Sequence, residues 1–175
     1  VSIWVVFLFT FLEHNISQNN TTKPIFEQSI KTQSPSPTPT PSIVLKKPPN
    51  SKKLNNDYHI YQTFNNCGPA SLSMTLSYFD IDKTQQELGQ LLRPYQIKNG
   101  DNDDKSVGFD EMVRLAEQYD LLAYHRPNGD IKLLKQFISY DIPVITKTWT
   151  KPNEDIGHFR VVKGFDEQKQ VLIQD

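Results

Sequence analysis

"QTFNNCGPASLSMTLSYF" (Gln62–Phe79) holds the only cysteine of the 175-residue chain. Leu72, Leu76 and Phe79 recur at helical spacing, with Ala70 and Met74 beside them, so the stretch from Cys67 onward predicts a helix. Cys67 stands at its start. Unpaired amides and the positive end of the helix dipole lie there, and both favour a thiolate. Gly68 permits close backbone approach, and Pro69 suits a first helical turn. A lone cysteine is by default a small buried hydrophobe, but an inert core cysteine needs neither of these neighbours. One cysteine also forbids an intrachain disulfide and a thiolate zinc cluster.

Further helices and strands follow downstream. "TQQELGQLLR" opens on Thr84 with Glu87 three residues later, a capping box ahead of Leu88, Leu91 and Leu92. "FDEMVRLAEQY" (Phe109–Tyr119) repeats the helical pattern. "LLAYHR" (Leu121–Arg126) reads as a strand, Asn128-Gly129 as a turn, and Asp130 as the cap of "IKLLKQFISY". "IPVITKTW" (Ile142–Trp149) and "GHFRVVKGF" (Gly157–Phe165) read as strands, the second turning through Asp166 into "QVLIQ" as a hairpin. Helices first and antiparallel strands last predict an α+β domain with segregated layers. Three aspartates bunch in "NGDNDDKS" (Asn99–Ser106) without EF-hand spacing, which predicts a solvated loop and no metal.

Upstream the character changes. "VSIWVVFLFTFL" is almost wholly apolar. It is short of the ~20 residues of a full span, which suits a signal h-region or a truncated anchor over residues 1–12. Residues 13–53 are polar and include "SPSPTPTPS" (Ser34–Ser42), which predicts a disordered, extended stalk. The folded domain is expected over 54–175. From Leu54 the chain carries 13 Lys/Arg against 18 Asp/Glu, a net −5, whereas residues 1–53 carry 6 against 2. A domain that acidic argues against nucleic acid as a partner.

A thiolate nucleophile needs a base that takes its proton and later protonates the leaving amine. Of His14, His59, His125 and His158, the last is the best candidate, because it opens a strand directly after Gly157. Asp175 ends the other arm of the hairpin, where antiparallel pairing would bring it to His158 as the orienting acid. Asp166 is its rival but lies at the turn. The Cys67 amide and the Gln62 side chain are candidate oxyanion donors.

The two blocks "QTFNNCGPASLSMTLSYF" and "GHFRVVKGFDEQKQVLIQD" together resemble the C39-like group of papain-fold cysteine peptidases. The resemblance covers about Asp57–Asp175. It implies a helical half carrying the cysteine helix, packed on a C-terminal antiparallel sheet. It also implies Cys67 as nucleophile, His158 as base, Asp175 as orienting acid and Gln62 as oxyanion donor, with no cofactor. The expected function is an extracytoplasmic, membrane-tethered cysteine peptidase at the cell surface, a monomer acting on peptide or protein. The alternatives are an inactive peptide-binding module on the same fold and a double-glycine leader peptidase; the second fits an anchored domain poorly.

Overall fold

A computed structural model describes the backbone of residues 3–10 and all of residues 45–151 and 157–175. The fold is carried by Val1–Phe11 with Lys46–Asp175; of the second unit, Leu12–Leu45, only Leu45 is among the described residues, so most of the expected stalk lies outside them. The elements run β1 (Ile3–Thr10), β2 (Ser51–Lys53), α1 (Cys67–Leu76), α2 (Gln85–Leu92), α3 (Phe109–Glu117), β3 (Leu121–Gly129), α4 (Ile131–Ser139), β4 (Val144–Trp149), β5 (Gly157–Asp166) and β6 (Val171–Gln174). This is the expected α+β architecture, four helices on an antiparallel sheet.

The sheet order is β2-β5-β4-β1-β3, with β6 on the other edge of β5. The caps that start two helices are those read from the sequence. Thr84 accepts from the Glu87 amide while the Glu87 carboxylate accepts from the Thr84 amide at 2.9 Å. Asp130 accepts from the Leu133 amide at 2.7 Å. Each such cap is worth ~1 kcal/mol.

Helices cover both faces of the sheet. On one, Leu72 and Leu76 of α1, Leu88 of α2 and Met112 of α3 pack over Ile145, Phe159 and Val161. On the other, Leu134 and Ile138 of α4 pack over Val144, Val162 and Phe165. Adjacent residues of β4 and β5 therefore serve opposite layers, which is why both strands read as near-continuous apolar runs. The sequence does not announce the shift in pairing between Val162 and Gly164, which slips β5 against β6. Such a bulge bends a strand and re-aims its side chains, and Phe165 ends in the α4 layer although it shares odd numbering with Phe159 and Val161.

Three expectations meet a different structure. Asn128-Gly129 does not turn the chain: both residues stay in β3, Asn128 takes a left-handed φ of 57°, and Gly129 pairs with Ile3. The domain starts before Leu54, since Ser51–Lys53 pair with Gly164–Asp166. Most consequentially, Ile3–Thr10 is a strand between β3 and β4, where the sequence suggested an anchor outside the domain. A run rich in β-branched and aromatic residues suits a strand flanked on both edges as well as it suits lipid. Val5, Val6 and Phe7 have a partner strand on both edges, and Val6 lies opposite both His125 and Ile145. Val6→Pro removes a ladder bond at the sheet centre and is expected to lower the melting temperature by roughly 5–10 °C. Thermal denaturation checks this; an unchanged midpoint would put the run outside the domain.

Candidate active site

Cys67 opens α1, the helix on which the two layers of its face converge, and is half-buried while Gly68 through Leu76 are buried. Gly68 lets the helix sit close to α3: a Cβ there would stand 2.7 Å from the Met112 methyl, which would have to move. The residue before the helix, Asn66, places no side-chain bond on the first turn. The amides at the head of α1 thus receive no bond from the Asn66 side chain and stay available as donors.

The loop leading to Cys67 is fixed from α2. Gln85, 6 % exposed, accepts from the Thr63 amide at 2.8 Å and donates to the Tyr61 carbonyl at 2.9 Å. Asn65 follows in a left-handed conformation with φ 56°, which asparagine tolerates better than most residues. Gln62 is exposed on this loop and does not line the groove beside Cys67.

That groove has a volume of about 510 Å³. Asn65 and Cys67–Pro69 supply one part of its wall, Asp103–Val107 another, and Lys147, Gly157 and Phe159 the part that comes from the sheet. The acidic loop is thus part of the site and is internally braced. Asp103 accepts from Gln96 at 2.7 Å and from Lys105 at 2.9 Å, and these bonds, led by Lys105, hold its carboxyl below the usual range.

The structure does not bring His158 to Cys67. On β5, Phe159 faces the groove and the α1 layer, while its partner Lys147 sits 5.0 Å over the Phe159 ring. His158 pairs with Thr148, and Arg160 of the same face donates to the Thr148 hydroxyl at 2.9 Å. Successive side chains on a strand point to opposite faces. His158 and Arg160 therefore lie on the α4 side of the sheet, and the thiol on the other.

Asp175 is also placed elsewhere than expected. Its backbone exchanges hydrogen bonds with Val161 (2.9 and 3.2 Å), which sets it three residues in from His158 and on the Val161 face. Its buried carboxylate accepts from Lys163 at 2.6 Å and pairs with His59 at 3.1 Å. The Tyr78 phenol, a pKa neighbour of the same carboxylate, is pushed up to about 12, by burial first and by Asp175 second. Asp166 takes the turn role, accepting from the Lys169 amide at 3.1 Å.

Burial, and then the positive charge of Arg160, holds the His158 pKa below its ordinary 6.5. A working thiolate–imidazolium pair does the reverse, because the anion favours the charged ring. The folded chain then binds fewer protons than the unfolded chain as pH falls below 6.5, so His158 lowers stability in acid and leaves it intact above that pH. His158→Gln should flatten that loss in urea titrations, and the His158 ring-proton midpoint should fall below 6.5 by NMR. A midpoint above it would reveal an ion pair with the thiolate.

Residues 46–175 match the model of the Peptidase_C39 like family. No curated protein and no solved structure matches the chain. The match spans well over half of the sequence and takes in the Cys67 helix, the residues that line the groove and the β5–β6 hairpin, so the chain belongs to the Peptidase_C39 like family.

Proposed function

We propose that the domain is a thiol-dependent peptidase that takes an extended peptide in the groove beside Cys67. The observation that carries this reading is Cys67 at the uncapped head of α1, on the wall of an open groove. The thiolate attacks a peptide carbonyl, and backbone amides at the helix head hold the oxyanion. The base returns the proton to the leaving amine, and water then releases the acyl group from sulfur. Family membership supports the peptidase-related class. His158 as base, Asp175 as orienting acid and Gln62 as a second oxyanion donor are assigned by resemblance.

His158 must then change face. A shift of one residue in the β4–β5 register would turn every side chain of this part of β5 over. The same shift would carry Arg160 toward the groove.

A second reading is a peptide-binding module without turnover. It is favoured by Phe159, rather than His158, facing the thiol. A membrane-tethered, extracytoplasmic setting belongs to the same proposal, supported by the apolar run and the proline-rich segment. Among the described residues no helix is long and apolar enough to cross a membrane, and an Ile3–Thr10 strand competes with an anchor for the same residues.

Cleavage of a fluorogenic peptide library separates the readings. The peptidase reading expects turnover that falls by at least about 10³-fold in both Cys67→Ala and His158→Ala. Turnover surviving in His158→Ala would remove His158 from the mechanism. No turnover, with Cys67 alkylated at the pace of an ordinary thiol, would leave the binding module.

A further inference from the structure

Arg93 follows the last turn of α2 and is 9 % exposed. Its guanidinium reaches two segments that line the Cys67 groove. One terminal nitrogen donates to the Lys105 carbonyl at 3.1 Å and to the Asn65 carbonyl at 3.5 Å. The other donates to the Asn66 side-chain oxygen at 2.7 Å. Asn66 immediately precedes Cys67 and also donates to the Thr63 hydroxyl at 2.7 Å. Lys105 lines the same groove as Asn65 and Cys67.

This is a costly way to hold two loops. A buried guanidinium loses hydration, and among the described residues no carboxylate forms a salt bridge with it. Its Nε is buried without a partner. A stem of apolar residues would serve stability as well. What the planar fork supplies is geometry, because its donors span carbonyls from two separate segments.

Gly89, one turn earlier on α2, makes room for it. A Cβ at Gly89 would stand 2.6 Å from the Arg93 terminal nitrogen and 3.5 Å from the Asn66 oxygen. We propose that Arg93, which lies behind the groove with Asn66, is a positioning residue that clasps the Asn65 lining segment to the Lys105 lining segment and so sets the width of the peptide groove. This deepens the reading of that groove as a peptide site and rests on it.

Two variants isolate the clasp. Arg93→Gln removes the fork. Gly89→Ala keeps the charge but displaces its tip, and alanine is the better helix former. The probes are a peptidyl chloromethyl ketone, which must occupy the groove to reach Cys67, and iodoacetamide, which need not. In both variants the ratio of the two alkylation rates is expected to fall about tenfold from wild type, with the melting temperature of Gly89→Ala held or raised. A purely structural arginine would instead lower the melting temperature and leave the ratio alone. An unchanged ratio overturns the proposal.

A wild-type ratio already near one would defeat the peptide reading itself, and the clasp is then judged separately. The Lys105 carbonyl is the one that trypsin would attack, and Arg93 holds it. Cleavage after Lys105 should quicken at least about tenfold in both variants; an equal rate in all three proteins overturns the clasp whatever the groove binds.

Discussion

Side chains alternate across a strand, so the register of β5 on β4 decides what meets the thiol of Cys67. With Lys147 opposite Phe159 and Ile145 opposite Val161, the α1 face of the sheet is apolar up to the edge of the groove. The rest of that layer is built on this choice. The backbone of α1 comes so near that a Cβ at Gly68 would stand 3.5 Å from the Phe159 ring. Phe159 also packs edge-on against Phe109 of α3 at 5.1 Å, which ties the third helix to the same strand position. Turning β5 over would bring two polar side chains, His158 and Arg160, to positions now held by Phe159 and Val161. Moving a charge into such a layer is expensive unless it is paired. Packing thus favours the register in which the thiol and the imidazole are apart, and peptidase chemistry requires the other.

The parts of the fold set by local chemistry were legible in the sequence. Thr84 with Glu87 and Asp130 with Leu133 announce helix starts because a side-chain oxygen three residues from an amide has one obvious bond to make. The hairpin was legible because Asp166 and its polar followers interrupt two apolar runs. Cys67 at a helix head could be read for the same local reason. The parity of β5 could not. "HFRVV" offers polar and apolar residues to both faces, and the bulge that re-aims Phe165 leaves no mark in composition. Nor could the buried polar braces be found. Gln85 and Arg93 look like ordinary surface residues of an amphipathic helix, and only the tertiary structure shows each reaching a loop more than 20 positions away. The first strand could not be read because an apolar run of that length suits a lipid environment and a sheet interior equally, and periodicity cannot separate them.

Asp175 is the less constrained partner. Its Oδ1 is taken by Lys163 at 2.6 Å and by His59 at 3.1 Å, while its buried Oδ2 has no hydrogen-bond partner among the described residues. A carboxylate has two acceptor oxygens, so Oδ2 is free to accept from an imidazole while Lys163 and His59 keep Oδ1. The charge that opposes protonation of the His158 ring is Arg160. Both cations sit on β5, Arg160 ahead of the pairing shift at Val162/Gly164 and Lys163 within it. A rearrangement that brought His158 to the Cys67 face would turn Arg160 over with it, so the proposed triad carries the cost of rehousing that cation.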